Sequence, residues 1–398
     1  MVSPRENSEE TVGRKRKEDV MKASRWVWAL GVLQLFAAFV PTPFEAQEFP
    51  PESGIRGILV NRVALGRNPG IVVGLLDEAG PRIVVAGVSG RDGVELDGNT
   101  VFEIGSITKV FTAAILEDMV SRGEVGFEDE VAGFLPRHVR VPSEEGRAIT
   151  LLDLATHRSG LPRMPSNFSP ADFQNPYADY TVEQLYSFLS SYELPRGIGT
   201  EWDYSNLGMG LAGHALSLKA GMTFERLVRE LILDPLSMNH TGFDLAPPVG
   251  APTAQGHGPA ARPVPNWDVP TLAGAGALRS TMYDMLLFTA ANLMEADLEI
   301  SPVLHRTHEV RVPDIAENLS MALGWLINTR FPDCPIIWHN GGTGGFHSFI
   351  GLDKVGRKAV IVLTNGVQSI DDIGFHLLDG RNPLSPPEPL GGVGLDGD

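Results

Sequence analysis

The strand-like runs of this chain lie at its two ends, with a long and mostly helical stretch between them. Near the start, Ile71 to Leu76 and Ile83 to Val88 are rich in β-branched residues and flank Asp77-Glu78-Ala79-Gly80-Pro81. That pattern reads as a hairpin. Near the end, Ser348 to Leu352 and Ala359 to Thr364 flank Asp353-Lys354-Val355-Gly356, a second hairpin, and a helix around Ile370 to Leu378 follows. Strands at both ends with helices between them predict an α/β (α+β) fold: one antiparallel sheet built from the two ends and flanked by helices. The sheet is expected from about 55–105 and 320–380, with an inserted, mostly helical region at about 125–315. The folded body would span 47–381, and the Pro- and Gly-rich segment 382–398 reads as a flexible tail.

The N-terminal residues read as a leader, 1–46. Lys22 and Arg25 form a basic region after Met21, and Trp26 to Val40 is apolar except for Gln34, too short for a comfortable membrane span. Pro41, Pro43 and Ala46 follow, with Phe44 where a peptidase prefers a small residue. A signal peptide starting at Met21 is the expectation, and with it export to a periplasmic or secreted location. An uncleaved anchor is the other reading. No cysteine follows the apolar run, so a lipid anchor is not expected.

With 32 basic against 49 acidic residues the chain carries a formal charge of −17. Such a surface repels phosphate backbones, so nucleic acid is not an expected partner. The single cysteine, Cys334, excludes an internal disulfide and a Cys-rich zinc site.

One helix is clear. From Ser106 the apolar positions Ile107, Val110, Phe111, Ala114, Ile115 and Met119 have the spacing of a helix with one buried face, between Gly105 and Gly123. Ser106-Ile107-Thr108-Lys109 then places a hydroxyl and an amine at i and i+3, within hydrogen-bonding reach. The helix N-terminus favours developing negative charge there, and a desolvated lysine can serve as the base a serine nucleophile needs. Alone, this pair is equally an N-cap serine beside a surface lysine. Tyr204-Ser205-Asn206 offers a proton relay and an amide for a substrate; alone, it is a loop tyrosine beside a helix cap. His339-Asn340-Gly341-Gly342-Thr343-Gly344-Gly345-Phe346, entered from Ile336-Ile337-Trp338, suggests a strand edge stripped of side chains, along which a substrate backbone could lie; alone, it is equally a glycine-rich turn between strands.

The three elements in this order resemble the penicillin-binding and class C β-lactamase family of serine hydrolases, whose order is S-x-x-K, Y-x-N, then K-T-G or H-x-G. Leu151 to Pro162, Asp234 to Phe243 and Gly274 to Ser280 also match the family's habits, so the resemblance runs from Ile55 to Thr364. It implies the β-lactamase/transpeptidase-like fold with its site in a cleft. It implies Ser106 as the acylated nucleophile, with Lys109 and Tyr204 sharing acid–base work that sequence does not apportion. Asn206 would orient the substrate amide. The N–H groups of Ser106 and Gly342 would form the oxyanion hole, with Gly341 beside them. His339 would contact a substrate carboxylate or the tyrosine. No cofactor and no metal are implied. The substrates would be β-lactams or D-alanyl-type peptides, as for a D-alanyl-D-alanine carboxypeptidase. A carboxylesterase on short acyl esters and a non-hydrolytic penicillin-binding sensor are the alternatives.

The chain departs from class C enzymes at His339, where they carry lysine. A histidine that anchors anionic substrates predicts activity that falls as it deprotonates. Four features compete for attention. His305 and His308 beside Glu309 could face one metal, but no third ligand is placed. His157 and His347 could lie near the cleft, with structural hydrogen bonding expected of each. Cys334 reads as an incidental thiol.

Overall fold

The structure is a computed structural model and describes residues 48–385, apart from Arg67, Gly93, 244–251 and 295–297. The leader 1–46 and the tail beyond 385 lie outside the described residues.

Eight strands form one antiparallel sheet. Two come from the N-terminal side, β1 (Gly70–Asp77) and β2 (Gly80–Gly87). Six come from the C-terminal side: β3 (Val312–Ala316), β4 (Leu319–Met321), β5 (Leu326–Asn328), β6 (Ile336–Gly342), β7 (His347–Asp353) and β8 (Lys358–Thr364). Their order is β2-β1-β8-β7-β6-β5-β4-β3. The two ends meet where β1 pairs β8, with Ile71 opposite Thr364 and Leu76 opposite Ala359. Both expected hairpins are present. The sheet's first strand begins later than expected, because the segment before it is a helix, α1 (Glu52–Ala64).

Alternation along β1 and β8 explains why both are continuously apolar. Ile71, Val73, Leu75, Val360 and Val362 join a core with Ile55 and Leu59 of α1, and with Ile373 and Leu377 of a C-terminal helix. Val72, Leu76, Ile361 and Leu363 face the opposite way, into the larger core shared with the helical region. A sheet covered on both faces needs apolar side chains at both parities.

The helix expected from Ser106 begins two residues later: α2 (Thr108–Ser121) follows a 3-10 turn, Gly105–Ile107, that carries Ser106. It is buried nearly all round, Thr108, Thr112 and Glu117 included, rather than on one face. The correction has a packing cause. Helix α3 (Asn206–Ala220), the turn Ala273–Gly276 and the helix Ser301–Arg306 all pack on it. Gly324 (φ +73°) also brings the chain against Lys109 O and the Ala113 methyl. Helix α4 (Met282–Leu293) crosses β1 at Gly74, where Met282 occupies the space a side chain would need. The last helix, α5 (Asp371–Leu378), is joined to α1 by an ion pair between Arg62 and Asp372 at 2.5 Å.

Candidate active site

The seat of Ser106 is made by two stretches of glycine backbone. Gly105 has φ of +49°, and a Cβ on it would press on Gly342 N at 2.8 Å and Gly342 O at 3.0 Å. A Cβ on Gly341 would collide with Ile104 O and lie 2.9 Å from Ser106 N. Strand β6 is thus laid directly against the turn that carries the serine, which only residues without side chains allow. Beyond Trp338, β6 has β7 on one side only, since β5 pairs just Ile336 to Trp338. Thr343 N donates to Phe346 O at 3.0 Å. By the alternation of an antiparallel ladder, the N–H and C=O of Gly342 then face the open edge. The expectation of a bare strand edge beside the nucleophile is met.

Lys109 is fully buried, and its Nζ lies 2.8 Å from Ser106 Oγ, 2.8 Å from Asn206 Oδ1 and 2.7 Å from Ala275 O. Burial, and then the charge of Arg163, hold its pKa well below that of an ordinary lysine. Asn206 begins α3, and Ser205 caps that helix. Its Oγ accepts from Gly208 N at 2.8 Å and donates to Pro162 O at 2.7 Å. Tyr204 stands just before the cap. The Lys109 Nζ lies 4.9 Å from its ring centroid, and the Arg163 guanidinium lies 5.1 Å from it. Burial pushes the Tyr204 hydroxyl up to about 12, against the opposing pull of a hydrogen bond with Ser106 and the Arg163 charge.

His339 is 1% exposed, with its ring 6.2 Å from that of Tyr204. Its Nδ1–H donates to Asn340 O at 2.6 Å. Burial is the leading cause that takes its pKa down to about 3. A buried, neutral His339 offers no standing charge to an anionic substrate, which counts against the expected titrating anchor. Its place beside the tyrosine is as expected.

His157, expected in a structural part, accepts Ser205 N–H on Nδ1 at 3.2 Å and packs its ring 4.5 Å from that of Tyr204. It sits at φ +58°, and burial holds its pKa well below the usual value. His347 lies at the rim opposite Gly342, its Nδ1 3.8 Å from Asp371 Oδ1. His308 hydrogen-bonds Asn292 Oδ1 at 3.0 Å. Among the described residues no three His, Cys, Asp or Glu side chains are grouped to hold a metal ion. Cys334 is buried, and its thiol is pushed up to about 12.

The narrow cleft in front of Ser106 is lined by Tyr177, Asn206, Trp267, Val269 and Gly342 among others. Glu103, 4% exposed, holds the Trp267 wall by accepting from Trp267 N and Asn266 Nδ2, both at 2.7 Å. Tyr177, Trp267, Glu103 and Arg163 were not foreseen as site residues. Ala275 falls within a stretch noted only for its family likeness, and its contribution is a backbone carbonyl, which no side-chain pattern marks.

The family model for Beta-lactamase matches residues 55–376. The D-alanyl-D-alanine-carboxypeptidase/endopeptidase AmpH of Escherichia coli is 30% identical over 315 residues, covering 73% of this chain and 79% of that protein. An unguisins hydrolase of Aspergillus campestris is 28% identical, covering 80% of this chain and 63% of that protein. A solved beta-lactamase/D-alanine carboxypeptidase of Yersinia pestis shares the fold with a TM-score of 0.71 at 23% identity, over 83% of this chain and 96% of that one. With its three motifs converging on one serine, and a family match that spans most of its length, the chain belongs to the beta-lactamase family of serine hydrolases.

Proposed function

We propose that the protein is an exported hydrolase in which Ser106 is acylated by β-lactams or D-alanyl-type peptides and freed by water. The observation that carries this reading is the environment of Lys109 Nζ. Ala275 O and Asn206 Oδ1 are acceptors only, so a neutral amine directs its two N–H groups to them. Its lone pair then faces Ser106 Oγ–H, the geometry of a general base. Tyr204, with a pKa near 12, holds its proton at neutral pH and is placed to give it to the leaving group. The substrate carbonyl oxygen would lie between Ser106 N–H and Gly342 N–H, and the Asn206 amide would take the acyl side chain's amide. The name borne by the Escherichia coli relative favours the D-alanyl peptide among these substrates. The basic and apolar leader supports export, to where such peptides are found.

A carboxylesterase is the second reading. The neutral His339 favours it, since that wall of the cleft offers no charge to an anionic substrate.

The test is intact-protein mass after mixing with a penicillin, followed from seconds to an hour, with Ser106→Ala as control. We expect an adduct on Ser106 that is absent from the variant. Its decay with turnover would indicate a β-lactamase, and its persistence a D-alanyl peptidase or a penicillin-binding sensor, which release of D-alanine from a D-alanyl peptide separates. With no adduct at any time, short-chain ester hydrolysis by the same serine would become the leading reading.

A further inference from the structure

Arg163 is exposed at the mouth of the site, yet it is fixed there. Its backbone carbonyl accepts the N–H groups of Asn206 and Leu207, both at 3.1 Å, which ties its stem to the first turn of α3. Its guanidinium lies over the Tyr204 ring, 5.1 Å from the centroid. A guanidinium on an aromatic face keeps its N–H edge free, and that edge matches a carboxylate in a bidentate pair. No carboxylate among the described residues supplies one. The nearby acids are engaged elsewhere: Asp203 with Arg196, Asp268 with Arg279, Glu103 with Asn266 and Trp267, and Asp371 with Asn340. Lys109 spends its nitrogen on Ser106, Asn206 and Ala275 inside the protein. In a chain of net charge −17, an arginine left unpaired against the tyrosine of the site calls for a ligand.

We propose that Arg163 binds a free carboxylate on the leaving-group side of the substrate, and so selects amides and esters whose departing half is an acid. The side follows from its neighbour, since Tyr204 is the group placed to protonate the leaving atom. This rests on the reading of Ser106 as the acylated nucleophile. Arg163 thereby fills the part that His339, uncharged on β6, does not.

The test compares the wild type with Arg163→Gln and Arg163→Lys on a matched pair: an acyl-D-alanyl-D-lactate with its carboxylate free, and its methyl ester. Product release is measured as kcat/KM, and Ser106 acylation by intact mass. Arg163→Gln is expected to lower kcat/KM for the free acid by about ten- to a hundredfold, the range for losing a hydrogen-bonded charge partner. Both substrates share whatever the missing charge does to Lys109 and Tyr204, so the proposal is read in the ratio: the preference for the free acid over its methyl ester should fall by about ten- to a hundredfold, the signature of a lost binding contact on top of any common loss. Arg163→Lys should recover part of the preference, and added salt should shrink it in the wild type. Equal losses on both substrates would mean that Arg163 acts only on Tyr204, and no loss on the acid would mean that it binds nothing; either overturns the proposal. Absence of any Ser106 adduct in the wild type would overturn the reading of the site and this proposal with it. An adduct with unchanged selectivity in the variant would overturn the proposal alone. The exposed position leaves folding intact, which the melting midpoint checks.

Discussion

A buried ammonium surrounded by two carbonyl oxygens and a hydroxyl could be a structural cation, and the distinction lies in how many protons it carries. Desolvation in a site with no carboxylate partner disfavours the charged form of Lys109, and the Arg163 charge adds to that. A neutral Lys109 makes a clear prediction. Lys109→Met, which keeps the length and burial but removes the base, should lower the rate of Ser106 acylation by roughly 10²–10⁴-fold. The measurement is single-turnover mass spectrometry, and a variant acylated at the wild-type rate would assign the base elsewhere. The same residue-scale logic applies at His339. The type of a side chain is visible in a sequence, but its protonation is set first by burial, which has no sequence signature. His157 makes the point again: its role comes from the Ser205 N–H it accepts, 48 positions away.

Among elements, the site hangs on two helix starts and one strand edge, and their legibility differed. The turn into α2 and the glycines of β6 were readable only together with the Tyr204 to Asn206 element, because a run of apolar residues ending in glycines is by itself as well used in a turn between strands. That Gly105 and Gly341 face each other was not readable, since the contact joins positions over two hundred residues apart. The start of α3 is the more sensitive support. Ser205 satisfies the α3 backbone with one lone pair and Pro162 O with its proton, so it ties the loop that carries Arg163 to the helix that carries Asn206. Ser205→Ala should cost about 1–2 kcal/mol of stability. It should also slow acylation more than a remote substitution of equal cost, since Asn206 and Arg163 lose their common fixture. Calorimetry together with kcat/KM checks both; a normal rate in a destabilised variant would mean that the cap serves stability alone. The Trp267 wall, by contrast, rests on a hydrogen bond to Glu103 across 164 positions, and no local pattern announced it.

At the scale of the molecule, the buried histidines make stability depend on pH. His339 has a folded pKa of about 3 against roughly 6.5 when unfolded, so below pH 6.5 the unfolded chain takes up the proton that the folded protein refuses. Its contribution is complete above pH 6.5 and is lost as pH falls toward 3, in total on the order of 4 kcal/mol. His157 and His308, also depressed by burial, act in the same direction. Glu103, Asp284 and Asp371, which burial raises, act with opposite sign. The informative quantity is therefore a difference: His339→Gln should flatten the fall in melting temperature between pH 6.5 and 4, and a parallel fall in both proteins would refute the assignment. The overall architecture was the most legible level of all, because the two hairpins and the helical middle each carried their own periodicity. The exact strand count was not, since β3, β4 and β5 are short and β3, with a proline and an aspartate in five residues, is largely solvent-facing.

The pairing of β1 with β8 sets a timetable for synthesis. Ser106, Lys109, Tyr204 and Ala275 all leave the ribosome before a single residue of β6 exists. Strand β1 pairs β2 early, but its other edge waits for β8, almost three hundred residues downstream. Contacts of such long range make for slow folding, because the loop must be closed before the pairing repays it. A growing chain is therefore catalytically silent until its last strands emerge.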